Sequence, residues 1–129
     1  MDHIEFLGLA DVLEIHRDQI EHYGGSPGIR DMDLLQSAVA MPAAGFGDQY
    51  LHQNIFEMAG AYLFHITQNH PFVDGNKRTG AVAAIVFLAM NDIEVIADED
   101  ELEVFVRRVA TGQSDKAAAA EFFRNNSAK

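Results

Sequence analysis

Between two long apolar segments the chain carries His70-Pro71-Phe72-Val73-Asp74-Gly75-Asn76-Lys77-Arg78-Thr79-Gly80, a base, an acid, a glycine, an amide and two cations in close succession. Pro71 and the Asp74-Gly75 pair interrupt regular structure, so the stretch reads as a loop. Val82, Ile85, Val86, Phe87 and Leu88 follow, an apolar run long enough for a helix. The pattern predicts Asp74 or Asn76 as the N-cap of that helix, with Lys77 and Arg78 in its first turn. Cations there oppose the positive end of the helix dipole unless an anion is bound. Gly75 permits close backbone approach, helix N–H groups point outward, and Lys77 and Arg78 add charge-assisted donors. Such a stretch is suited to holding a phosphate. His70 has the chemistry to take a proton from an attacking hydroxyl. Asp74 suits magnesium, which takes a carboxylate together with phosphate oxygens. A lone His is more often a helix-end residue with solvated neighbours; the whole cluster on one loop is much harder to explain that way.

These candidates need rigid elements on both sides. Upstream, with Asn54 opening the helix, Ile55, Met58, Ala59, Tyr62, Leu63 and Ile66 recur on a single helical face, and Asn69 and His70 follow its last turn. Downstream, Asn76–Met90 is apolar nearly all round, with Gly80, Ala81, Ala83 and Ala84 as small contacts, which belongs in the middle of a bundle. The two helices form a hairpin with the candidates at its tip. Phe72 is expected to anchor the loop in the core, because reacting groups need fixed register. Earlier in the chain, residues 2–7 read as an extended arm. Leu9, Val12, Leu13, His16, Ile20 and Tyr23 give an amphipathic helix that ends at Gly24-Gly25-Ser26-Pro27-Gly28. Asp33–Met41 is a short helix stopped by Pro42, and Ala43–Gln53 reads as a loop. After a turn at Asn91-Asp92 come a short strand, Ile93–Ile96, and a helix begun by Asp98–Glu101, faced by Leu102, Phe105, Val106, Val109 and Ala110 and ended by Thr111-Gly112. Asp115–Arg124 is a last helix, and Asn125–Lys129 is expected to fray. The expected fold is all-α: one domain, residues 1–129, of about six helices around a central buried helix.

Composition narrows the function. The net charge of −11 disfavours direct nucleic-acid binding, which needs a basic face. Without cysteine there is neither a disulfide framework nor a thiolate zinc site. No basic-then-apolar opening marks a signal peptide, and Gly80–Met90 is too short to span a bilayer. A cytoplasmic protein without membrane contact is expected. His52, His65 and His70, with Glu57, match no common zinc spacing. Tyr62 and Phe64 could stack a base, but Tyr62 at helical spacing is the more ordinary core residue. Neither a P-loop nor a kinase glycine-rich loop occurs, so nucleotide binding rests on the His70 stretch.

That stretch strongly resembles the signature of Fic-domain proteins, His-x-Phe-x-(Asp/Glu)-Gly-Asn-x-Arg-x-x-Arg. Lys77, and Ala81 where the second Arg would stand, resemble the Doc (death-on-curing) branch, toxins of bacterial toxin–antitoxin pairs. Tyr23-Gly24-Gly25-Ser26-Pro27-Gly28 and Ala110-Thr111-Gly112 are also similar to Doc, so nearly the whole chain is covered. The resemblance implies ATP and Mg²⁺, with His70 as general base on a target hydroxyl, Asp74 as the metal ligand, and Gly75, Asn76, Lys77 and Arg78 as phosphate-binding residues. It implies that the region between Pro27 and Phe46 lies over the active site. In the Doc branch the γ-phosphoryl group passes to a threonine of elongation factor Tu and translation stops. The implied function is therefore a toxin phosphorylating a Thr or Ser hydroxyl of an elongation factor Tu-like translation factor. Most Fic proteins instead transfer AMP, using a second Arg that Ala81 cannot replace. Gly75 matches those AMP-transferring relatives, where Doc has Ala, so AMP transfer is the alternative. Many Fic proteins also carry an inhibitory (Ser/Thr)-x-x-x-Glu-(Gly/Asn) helix. No Glu here is followed by Gly or Asn, so the resemblance implies silencing by a Phd-like antitoxin whose C-terminal segment folds to a helix in a groove.

Overall fold

Short polar side chains open four of the six helices by accepting first-turn N–H groups. In the computed structural model, which describes residues 3–128, Asp31 accepts from Leu34 N at α2 (Met32–Ala40) and Asn54 from Glu57 N at α3 (Ile55–Asn69). Asp98 accepts from Asp100 N and Glu101 N at α5 (Glu99–Ala110), and Asp115 from Ala118 N at α6 (Lys116–Asn125). Each such cap is worth about 1 kcal/mol. Helix α1 (Leu9–Tyr23) follows Gly8, whose N–H donates to Asp11 Oδ2 at 2.8 Å. Helix α4 (Asn76–Met90) is different. Its N-cap is Gly75, in the left-handed region at φ 80°, and no side chain caps it. This corrects the expected Asp74 or Asn76 cap: Asp74 comes one residue too early, and Asn76 is already helical with its amide bonded elsewhere.

The bundle is all-α, with α3 and α4 sharing its middle. Helix α3 packs on α2, α4, α5 and α6, and α4 on α1, α3 and α5. Of the predicted face of α3, Met58, Ala59, Tyr62, Leu63 and Ile66 are buried and Ile55 is half-buried, while Gly60, Ala61 and Thr67 are buried as well. One apolar face is therefore too narrow a description of α3. Gly60 admits α6 so closely that a Cβ would come 2.9 Å from Ala120 N. Tyr62 is core: its hydroxyl accepts from Leu7 N at 2.8 Å and donates to Leu7 O at 3.1 Å, pinning the N-terminal arm. Burial pushes its phenol up to about 12. On α1, Val12, His16 and Gln19 are buried, whereas Tyr23 in the last turn projects beyond the core into solvent.

Two of the irregular segments contain more structure than the sequence indicates. A 3-10 turn, Met41–Ala43, leads into a hairpin of β1 (Gly45–Phe46) and β2 (Gln49–Tyr50) within the expected loop. The Phe6 ring lies 5.6 Å from both Tyr50 and Phe87, which puts this hairpin beside the C-terminal end of α4. A 15-residue helix is about 22 Å long, so the hairpin is remote from residues 70–76 at the other end. Of the region between Pro27 and Phe46, the segment 28–31 bonds to the candidate loop. The expected fraying of Asn125–Lys129 is also corrected. Asn125 completes α6, and β4 (Ser127–Ala128) pairs antiparallel with β3 (Glu94–Val95), because the free edge of β3 supplies partners for its backbone. Lys129 and Asp2 lie outside the described residues. Among the described residues no helix is long and apolar enough to cross a membrane.

Candidate active site

The loop between α3 and α4 is built outward from Phe72. This ring is fully buried, as expected of an anchor. Asn76 brackets its backbone, accepting from Phe72 N at 2.9 Å and donating to Phe72 O at 3.0 Å. From α1, the buried His16 stacks on Phe72 with ring centroids 3.7 Å apart and planes 5° from parallel. Its Nε2 lies 2.9 Å from Asp74 O; a carbonyl only accepts, so that nitrogen carries the proton. The segment after α1 closes the outer side, where Val73 N donates to Gly28 O at 2.9 Å and Ile29 bridges Phe72.

This frame directs the candidates into one cleft of about 470 Å³, lined by His70, Asp74, Gly75, Lys77 and Arg78 among others. His70 is exposed and left-handed, at φ 50° and ψ 53°. Lys77 is exposed, and Arg78 is half-buried. The first α4 bond in this turn runs from Thr79 N to Gly75 O, so the N–H groups of Asn76, Lys77 and Arg78 receive no acceptor among the described residues. Those free donors, two cations and a glycine with φ 80° form an anion cradle. Asn76 contributes to it through its backbone, since its side chain is bonded to Phe72. Arg78 donates Nη2–H to Gly24 O at 3.0 Å and lies 5.4 Å over the Tyr23 ring, while its buried Nε has no partner. That orphaned donor beside the cradle fits a phosphate oxygen. Asp74 accepts from Gly75 N at 3.0 Å and Ser26 N at 3.4 Å, which leaves carboxylate lone pairs at the cradle's edge that could take a hard cation. Gly25 makes room for the Asp74 carboxylate: a Cβ there would stand 2.8 Å from Asp74 Oδ2.

His52 and His65 belong to another part of the molecule. His65 accepts from Lys116 Nζ at 3.1 Å, and burial, then Lys116, push the imidazole down to about 4. An ammonium neighbour is a poor companion for a metal cation. Glu57 is bonded to Gln53 N and to Asn54 at the start of α3. Among the described residues no group of three or more His, Cys, Asp or Glu side chains could hold a metal.

The Fic/DOC family profile matches residues 6–88, from the N-terminal arm through nearly all of α4. The chain belongs to the Fic/Doc family. The toxin Doc of Mycolicibacterium smegmatis (strain ATCC 700084 / mc(2)155) is 38% identical over 95 residues, covering 72% of this chain and 73% of that protein. The protein kinase doc of Escherichia phage P1 is 29% identical over 114 residues, covering 88% and 89%. Within the family this chain sits in the Doc branch. His16, which the sequence places on an apolar helix face without assigning it a task, is a loop anchor in the folded protein. Its signal was present: a buried imidazole requires a hydrogen-bond partner.

Proposed function

We propose that this protein is the toxin of a toxin–antitoxin pair, a cytoplasmic enzyme that phosphorylates a Thr or Ser hydroxyl of an elongation factor Tu-like translation factor and so blocks translation. ATP is the donor and Mg²⁺ the metal. The observation that carries this reading is the meeting of an exposed imidazole and an anion cradle in one cleft. Its volume falls in the range of about 300–1,000 Å³ usual for small-ligand sites. His70 takes the proton of the target hydroxyl as that oxygen bonds to the γ-phosphorus, and the bond from phosphorus to the bridging oxygen breaks to release ADP. The free N–H groups of Asn76–Arg78, with the Lys77 and Arg78 side chains, stabilise the charge growing on the phosphoryl oxygens. Asp74 would hold Mg²⁺, which would supply charge neutralisation at the phosphates. The protein kinase doc relative and the small Ala81 support phosphoryl transfer.

AMP transfer is the second reading, favoured by Gly75, the residue type that AMP-transferring Fic proteins carry there. Attack would then fall on the α-phosphorus, with pyrophosphate leaving. ATP labelled separately at the α and γ positions, incubated with the protein in a bacterial lysate, distinguishes the two. Label in the target from the γ position only is expected. Label from the α position only would replace the kinase reading with AMP transfer, and no label from either would remove both.

The toxin reading requires a silencing partner. A groove of about 530 Å³ runs between α1, α4 and α5, with Tyr23, Ala81, Val82, Ile85 and Leu102 among its lining, and it shares Lys77 and Arg78 with the cleft. A Phd-like antitoxin segment folding to a helix there would cover both cations. Binding should raise the melting temperature by mass action.

A further inference from the structure

Where the chain leaves α3, the carbonyls of Asn69, His70 and Pro71 lack helical donors. All three are satisfied from one place. Arg30 donates Nε–H to His70 O at 2.6 Å and Nη2–H to Asn69 O at 2.8 Å. The backbone N–H groups of Arg30 and Asp31 both donate to Pro71 O, at 2.7 and 3.0 Å. Asn69 in turn donates its side-chain amide to Leu34 O at 3.0 Å, which ties the same corner to α2.

The two carbonyls that the guanidinium holds belong to the two peptide planes flanking the His70 Cα. Holding both planes fixes both φ and ψ of that residue. This matters because His70 is left-handed, a conformation that glycine or asparagine usually supplies at a helix end. For another L-residue it crowds Cβ against the backbone carbonyl oxygen. Contacts on both flanking peptide planes stabilise a histidine there. The planar, forked guanidinium is suited to that task, and its charge also complements the negative end of α3.

We propose that Arg30 is the positioning residue of the base: by clamping the peptide planes on either side of His70 it aims the imidazole into the cleft. The role of His70 as base rests on the transfer reading above; the clamp does not. The cradle half of the loop is held separately, by His16 on Asp74 O and by Asn76 on Phe72. Loss of the clamp should therefore damage turnover and leave nucleotide binding largely intact, whereas His16→Ala should weaken nucleotide binding.

The test uses Arg30→Ala and Arg30→Lys in the full chain, with two readouts. One is kcat and KM for ATP in label transfer. The other is the HN–Hα coupling and ¹³C shifts of His70 by NMR, which report its backbone angles without any catalysis. Arg30→Ala should lower kcat about 10- to 100-fold, the scale of a misplaced reacting group, with KM for ATP changed less than about twofold. Its His70 NMR values should leave the left-handed range. Added guanidinium ion should restore part of the activity, and Arg30→Lys should keep only part, because an ammonium cannot fork across two carbonyls. An unchanged kcat, an equal loss in nucleotide binding, or left-handed His70 values in the variant would overturn the proposal. If Arg30→Ala fails to fold, Arg30→Lys decides by the same readouts. A wild-type protein that transfers nothing from ATP would sink the enzyme reading, and the NMR readout alone would then judge the clamp.

Discussion

Helix α3 is flanked by two irregular connections that are held very differently. At its C-terminal end, residues 70–75 receive bonds from α1, α4 and the segment after α1, with Phe72 buried in the core. At its N-terminal side, the hairpin of Gly45–Tyr50 is held mainly by its own pairing, and Phe46 at its turn is 94% exposed. Ordering irregular backbone costs roughly 1–2 kcal/mol per residue, so a loop stays fixed only where burial and satisfied hydrogen bonds offset that cost. The chain concentrates such offsets at the loop that carries the candidate base and the anion cradle, where mutual register would matter.

The largest effect expected from breaking this contrast is on chemistry. His70→Ala should reduce transfer by about 10²–10⁴-fold, the usual contribution of a general base. Because the ring is exposed, thermal melting should stay where it is in the wild type. Undiminished label transfer would remove His70 from its role. Next comes the anchor. Phe72→Ala should lose about 3–5 kcal/mol in denaturant titrations, as fully buried aromatics do, and transfer should fall with it. A loss below about 1 kcal/mol would mean the loop is not pinned through this ring.

A smaller effect separates the site from the histidines of the α3–α6 face. His65 is pushed down to about 4 from the ordinary 6.5, by burial first and by Lys116 second. Between those values the unfolded chain binds a proton that the folded chain refuses. Stability is therefore full above about pH 6.5 and falls as pH drops toward 4. Burial lowers His52 in the same direction. His65→Gln should flatten the decline in melting temperature between about pH 7 and 5, and an unaltered slope would assign that decline to other groups. The smallest effect belongs to the hairpin. Phe46→Ser should change stability by less than about 0.5 kcal/mol and leave transfer unchanged; lost transfer at full stability would show that this remote hairpin meets the substrate.

What the residues determine alone is local. The helix Asn76–Met90 and the helix starts at Asn54 and Asp98 follow from periodicity and from side chains within one turn of the atoms they act on. The candidate loop is legible for the same reason: its base, acid, glycine and cations are neighbours along the chain. Other features join residues far apart. Asn76 is not a cap, because its amide brackets Phe72 and leaves the helix start to Gly75. His16 reaches Asp74, and Arg30 reaches His70, only because α1 and the segment after it pack across the α3–α4 hairpin. Ser127–Ala128 is a strand only because Glu94–Val95 offers it an edge. No spacing in the chain encodes those distances. They exist once the apolar faces of the helices have chosen their neighbours, and so tertiary packing, not the motif, decides how the candidate base is held.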